Sequence, residues 1–429
     1  MFYQVSTIMK RFCVITIFLL CLLAISLFSI TVNAQQEANS WPMFHGSPEH
    51  TGYLTAAGPN TNQTLWVYNT NGWVLSSPAV VNGVVYFTSS DKGYFKTSNN
   101  DLNAVNATNG AKIWSYTAQS KIYTSPAVAN NIVYFGSDDH AIYALNAQTG
   151  AFLWKCITGG EAEGSPTVSG GIVYAGSNDD KLYALNASVG MPVWNFTTGG
   201  DVVSAPAVAN GIVYFGSYDH KVYALDALTG QEKWAFTTGS AVESSPVIAD
   251  GNVYIGSYDN QTYAINANTG TLVWKVTTGY DQCVQASPGF ANGIIYTGGA
   301  FDHKVYALDA ATGNEKWTFT AGAGITSAPA IAGNTVYVSS SLDNKTYALN
   351  AKTGSLNWSF QTSGNVYSSP AIVSGVAYFG SYDGNFYAVG QQLGNLGSNA
   401  LPTIVYYIIA IVILIVIIAF AVLVLRKKK

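Results

Sequence analysis

Between residues 64 and 390 the apolar and polar positions fall into one pattern of four short runs, rewritten again and again. In one copy the apolar runs are Ala207–Val208, Ile212–Gly216, Lys221–Leu225 and Glu232–Phe236. Asn210–Gly211, Tyr218–Asp219–His220 and Thr229–Gly230 separate them. Valine, isoleucine, tyrosine and phenylalanine fill the runs, glycine, asparagine and aspartate fill the gaps, and no run reaches helical length. Each copy is therefore expected to fold as a four-stranded antiparallel sheet.

Two markers give the same period. Tryptophans stand at Trp66, Trp114, Trp154, Trp194, Trp234, Trp274, Trp317 and Trp358, spaced by 48, 40, 40, 40, 40, 43 and 41 residues. Prolines keep step at Pro78, Pro126, Pro166, Pro206, Pro246, Pro288, Pro329 and Pro370. A period near 40 with four strands per copy marks a propeller blade or a related solenoid. The eighth copy, from Pro370 through Phe386–Val389, has no tryptophan strand after it, whereas Trp66 has no three strands before it. If the Trp66 strand completes the last sheet, no edge is left to splay apart. The expectation is an all-β, eight-bladed β-propeller of four-stranded antiparallel blades, over residues 64–390, with the last blade closed by the N-terminal strand.

The tryptophan follows a glycine by four residues, as in Gly150–Trp154 and Gly230–Trp234. A blade cannot bury both faces alone, so each indole is expected to lie against the next blade as a structural residue. The copy around Ser90–Ser98 carries about eight extra residues at a hairpin tip, a length change that costs little.

The segments outside the repeat change the picture. Residues 1–34 carry Lys10–Arg11, the apolar run Phe12–Ile30 and a small residue before Gln35, and read as a signal peptide, an uncleaved anchor being the alternative. Cys21 sits in no lipobox. In the lead segment, residues 35–63, Trp41 and Phe44 are expected to plug the segment onto the propeller with His45 and His50 hydrogen-bonded. Glu49 is the only carboxylate nearby and no cysteine completes a tetrahedral set, so no metal is assigned. Residues 391–402 read as a linker, and the uncharged stretch 403–425 as a transmembrane helix long enough to span a bilayer. Residues 426–429 read as a basic cytoplasmic tail, which places the propeller outside a cell membrane crossed once.

From Gln35 to Ala400 there are 13 Lys and Arg against 23 Asp and Glu, a formal charge near −10, which excludes a nucleic-acid footprint. Cys156 and Cys283 fall in distant copies and are expected as separate thiols. Sequons at Asn62, Asn106, Asn186, Asn195, Asn260, Asn344 and Asn357 are glycosylation acceptors if the host modifies exported chains.

Candidate chemistry is sparse. Asp139, Asp179, Asp219, Asp259, Asp302, Asp343 and Asp383 recur at one hairpin, and such repetition fits Asx turns better than a single catalytic acid. His140, His220 and His303 follow three of them in alternate copies, where Asp180, Asn260, Asn344 and Gly384 stand elsewhere. That series is typical of turns, although a histidine face could sense pH. Ser76–Ser77, Ser244–Ser245 and Ser368–Ser369 read as polar faces near the channel. No nucleophile elbow, HExxH helix, Walker loop or GxGxxG opening occurs. No catalytic, cofactor-binding or metal-binding residue is assigned.

The segments Ala224–Trp234 and Ala307–Trp317, A-L-D-A-x-T-G-x-x-x-W, resemble the pyrroloquinoline-quinone-type repeat family, as do Asn146–Trp154 and Asn266–Trp274. The resemblance covers about residues 41–390. Family members include eight-bladed quinoprotein dehydrogenases and the propeller lipoprotein that helps assemble outer-membrane proteins. For the dehydrogenases the resemblance implies a quinone held over the channel with calcium, an aspartate base and a vicinal cysteine pair. This chain has no Cys-Cys pair, and its regular copies lack long insertions. The expectation is a non-enzymatic, membrane-tethered cell-surface propeller presenting loops to an extracellular protein or glycan, with Trp73, Tyr123 and Tyr367, and the histidines His140, His220 and His303, as the contact surface. A quinone- and calcium-dependent dehydrogenase of alcohols or sugars and an envelope protein assembly factor are the alternatives.

Overall fold

The structure, a computed structural model, describes residues 40–91, 100–280 and 286–391. The segments expected as signal peptide, transmembrane helix and tail, residues 392–402 of the expected linker, residues 92–99 of the longer hairpin, and Cys283 lie outside the described residues.

Eight sheets of four antiparallel strands follow one another along the chain. In the fourth blade these are Ala207–Ala209, Ile212–Ser217, Lys221–Asp226 and Glu232–Thr237, in register Tyr214↔Ala224↔Trp234. Burial follows the position of each strand. The second strand of a blade is packed on both faces and is buried end to end, as in Ile172–Ser177. The fourth strand lies at the rim and shows the alternation of a half-buried strand, its tryptophan inward and its neighbours exposed. The eight innermost strands neighbour each other around the ring, including Ala371–Val373 beside Ala79–Val81.

The ring closes as the orphan tryptophan predicts. Thr64–Asn69 pairs antiparallel with Asn385–Gly390, placing Trp66 opposite Ala388 in the sheet that begins after Pro370.

Each junction between blades is held by one clasp. The indole N–H of Trp154 donates to Ala187 O at 3.1 Å, and the buried Tyr134 hydroxyl donates to the same carbonyl at 3.0 Å. Trp234 and Tyr214 do the same to Ala267 O, and across the closure Trp66 and Tyr378 converge on Ala107 O. At seven of the eight junctions the acceptor sits at the corner between the third and fourth strands of the next blade. The eighth blade lacks that corner, because its fourth strand comes from the other end of the chain. There Pro59 O substitutes, accepting from Trp358 and Tyr337. Gly230 shows why the corner ends in glycine: φ is +72°, and a Cβ there would lie 2.7 Å from the Trp194 ring.

Candidate functional site

The lead segment does more than plug onto the ring: it runs around the inside of the channel, hydrogen-bonding the middle residue of one inner strand after another. Trp41 exchanges two bonds with Val80, and Val128 N–H donates to Pro42 O. Val208, Ile248, Phe290 and Ile331 N–H donate in turn to Pro48, Glu49, Thr51 and Gly52 O. Tyr53–Leu54 then adds a short parallel strand to the seventh blade, against Ile331–Ala332. Six of the eight blades thus contribute a backbone donor that a sheet edge would otherwise leave unpaired. His50 reaches a seventh, its Nε2 lying 3.0 Å from Thr167 Oγ1.

Trp41, Met43, His45 and His50 are buried in the centre of the ring. His45 Nδ1 donates to His50 O at 2.8 Å, and Phe44 stacks on His45 and meets His50 edge-on. Burial depresses both imidazoles, His45 to about 4 and His50, next to His45, to about 3. The histidine pair is thus a neutral part of the packing. The described residues contain no cluster of three or more histidine, cysteine, aspartate or glutamate side chains placed to hold a metal.

The connections leading into the inner strands share one face with the hairpins between second and third strands, here called the entry face. Backbone bonds tie the two, as from Asn178 N–H to Glu161 O and Tyr218 N–H to Asp201 O. The recurring aspartates fasten this arrangement. Asp219 Oδ1 accepts Lys221 N–H in an Asx turn, and Oδ2 accepts both Gly199 N–H from the incoming connection and the Tyr223 hydroxyl. Asp139, Asp179, Asp259, Asp302, Asp343 and Asp383 bind their own tyrosines alike. His140, His220 and His303 stand exposed in these hairpins at φ +63°, +70° and +62°, as turn residues. The serines are structural. Ser77, Ser125, Ser245 and Ser369 belong to a belt in which a hydroxyl accepts the backbone N–H of a neighbouring blade. Ser76 bridges its own sheet at Thr88.

Around the entry to the channel the structure gathers the aromatic candidates. Trp73 stacks on Tyr382 with centroids 4.8 Å apart and planes 7° apart, and Tyr367 packs on the same ring at 4.8 Å. Tyr123 stands near enough to influence Tyr382, with Lys121 over the Tyr123 ring at 5.6 Å. Burial first, then the neighbouring tyrosines, pushes the Tyr382 hydroxyl up to about 12. Trp73, Tyr123, Tyr367 and Tyr382 each remain partly exposed. Tyr382 escaped the sequence reading because it occupies a hairpin position held by other residues in other copies; Tyr218 and Tyr258 at the same position were the available signal.

Across blades two to five the same face is acidic. Asn178 donates to both Glu161 at 3.2 Å and Glu163 at 3.0 Å. Tyr218 and Tyr258 both donate to Glu243. Burial raises the Asp138 carboxyl to about 7, with Glu163 and Glu161 adding repulsion against the opposing Lys121. Burial likewise raises Glu163, with Glu161, Glu243 and Asp201 adding to it and Asn178 opposing. The ion pairs found among the described residues, Lys181–Asp179, Lys233–Asp226 and Lys316–Asp309, do not neutralise Asp138 or these glutamates.

Of the sequon asparagines, Asn62, Asn186, Asn195 and Asn357 are exposed, while Asn106, Asn260 and Asn344 are partly buried. Cys156 is a free thiol on the outer strand Phe152–Ile157.

A closed ring of eight clasped blades with the W-strand repeat defines a quinoprotein-type propeller. The chain belongs to the family described as outer membrane protein assembly factor BamB, whose profile matches residues 98–261, 197–288 and 263–400. The fold is also that of BamB from Moraxella catarrhalis, at 18% identity and a TM-score of 0.64 over 78% of this chain and 99% of that one. A europium-containing methanol dehydrogenase is similar at 15% identity and a TM-score of 0.69, over 82% of this chain and 92% of that one. Quinohemoprotein alcohol dehydrogenase from Comamonas testosteroni is similar at 15% and 0.68, over 85% and 82%. No curated protein sequence matches the chain.

The dehydrogenase likeness raises the question of whether a quinone with calcium fits. The residues present do not suit it. Pyrroloquinoline quinone is a tricarboxylate, which calls for cations, above all the bidentate guanidinium. The described residues include no arginine, and the entry face carries Asp138, Glu161, Glu163, Asp201 and Glu243. Below that face the channel is filled by Trp41, His45 and His50.

Proposed function

We propose that this chain is a non-enzymatic propeller, exported and tethered to the cell membrane through residues 403–425, which binds a protein partner outside the cell through its entry face. The observation that carries the reading is the convergence of Trp73 and Tyr367 on Tyr382, with Tyr123 beside them, around a channel closed by the chain itself. Stacked, partly exposed aromatic rings supply rigid contact area at little entropic cost, the property of interface anchors. The acidic arc beside them favours a partner with a basic surface over a neutral glycan, and it steers encounter. The description of the family as an assembly factor supports a protein-binding role of this general kind.

The test is site-specific photocrosslinking in cells that make the full chain, with the reactive residue at Tyr367 or Tyr382 and, as control, at the exposed rim residue Leu153. A discrete protein adduct from the first two positions, absent from Leu153 and reduced about tenfold or more by Trp73→Ala, is the expected result. Absence of an adduct from both mouth positions, or equal adducts from mouth and rim, would refute the assignment of this face. Dye reduction by the purified protein with an alcohol, dependent on added quinone and calcium, would refute the non-enzymatic reading.

A further inference from the structure

Among the described residues the lead segment is seated by backbone bonds to six inner strands and by the buried side chains of Trp41 and Met43, and it carries two buried titratable side chains, His45 and His50. We propose that residues 41–54 form a releasable strap, seated in the channel while His45 and His50 are both neutral and expelled when they take up protons, leaving the rest of the ring folded. The geometry supplies the reasons. Both imidazoles are buried, at 2% and 0% exposure, so neither charge could be solvated in place.

The groups that face them compensate only through two backbone carbonyls, His50 O beside His45 and Pro246 O beside His50, and these do not offset the cost of burial. Phe44 covers both rings, Thr167 faces His50 from the third blade, and the neighbouring titratable group is in each case the other histidine. His45 Nδ1 is held by His50 O, and the electrostatic influences on the pair include no carboxylate. A second proton would therefore place two like charges side by side in an apolar setting. The blades can outlast the strap, because their clasps through Trp154, Trp234 and the other indoles involve none of its residues; Pro59, the acceptor for the seventh blade, lies beyond it. Release would uncover the N–H groups of Val80, Val128, Val208, Ile248, Phe290 and Ile331 around the channel wall.

The sign follows from linkage. A histidine whose seated pKa lies below its free value favours release as pH falls below the free value near 6.5. With both groups depressed as far as they are, the seated-to-released ratio falls on the order of a thousandfold between pH ~7 and pH ~4.5.

Amide hydrogen exchange of the full chain, read by mass spectrometry and corrected for the intrinsic pH dependence of exchange, tests the proposal. Segment 41–54 and the inner strand around Val208 report the strap; Ile212–Asp226 reports the blade. The expected result is a reversible loss of protection in the strap and at Val208 at pH ~4.5, on the order of a thousandfold, with Ile212–Asp226 unchanged. His45→Gln with His50→Gln should remove most of that pH dependence. Unchanged protection of the strap at pH ~4.5, loss of strap and blade together, or an undiminished pH response in a folded double variant would each overturn it. Should the double variant fail to fold, His50→Gln alone decides: a midpoint moved to lower pH supports the proposal, and an unmoved midpoint contradicts it.

Discussion

Trp154 is the residue through which the repeat is best understood. Its indole fills the junction with the next blade, bonds Ala187 O, and lies under Gly190, where a Cβ would overlap the ring. Trp154→Ala should cost about 3–5 kcal/mol by urea unfolding, because a buried indole leaves a cavity. Trp154→Phe, which mainly removes the hydrogen bond, should cost about 1–2 kcal/mol. The spacing of tryptophan and glycine was legible from side chains alone. The shared alanine carbonyl was not, since a backbone acceptor leaves no mark in a sequence. Asp138 gives a second prediction at this scale. Its pKa is raised, so its contribution is most favourable below its ordinary value of 3.8 and is lost as pH rises through about 7. Because the group retains access to solvent, the effect is discounted to about 1–2 kcal/mol. Asp138→Asn should stabilise the protein by that amount in urea at pH ~8 and leave it nearly unchanged at pH ~4.

Two elements from the start of the chain behave differently. The strand Thr64–Asn69 was expected to close the ring, because an orphan tryptophan and a sheet lacking its fourth strand are both visible in the spacing. Its removal deletes one rim strand, the Trp66 clasp and the covalent tie between first and last blades at once. A chain lacking Thr64–Asn69 should therefore lose more than any single indole truncation, above about 5 kcal/mol, measured by urea unfolding against Trp154→Ala. The strap was legible only in part. Trp41 and the bonded histidines were foreseen, but its course along six inner strands was not, since those strands contribute only N–H groups. Its buried histidines also set a pH window. Stability should be greatest above pH ~6.5 and fall by up to about 5 kcal/mol by pH ~4.5 where unfolding releases both groups, and His50→Gln should reduce that slope in urea titrations.

For the molecule as a whole, the period fixes the number of blades, whereas the asymmetry of the entry face comes from positions where the copies disagree. Tyr382, Asp138, Glu161, Glu163 and Glu243 sit in hairpins and connections of variable content, so no repeat pattern could bring them together on paper. On that face aromatic rings and negative charge surround a channel occupied by the chain's own residues. The most direct measurement is an experimental structure of the protein, determined after incubation with excess pyrroloquinoline quinone and calcium. The expected result is Trp41, His45 and His50 across the channel, Trp73 stacked on Tyr382, and no quinone bound. A quinone seated at the channel entry, with residues 41–54 displaced, would contradict it.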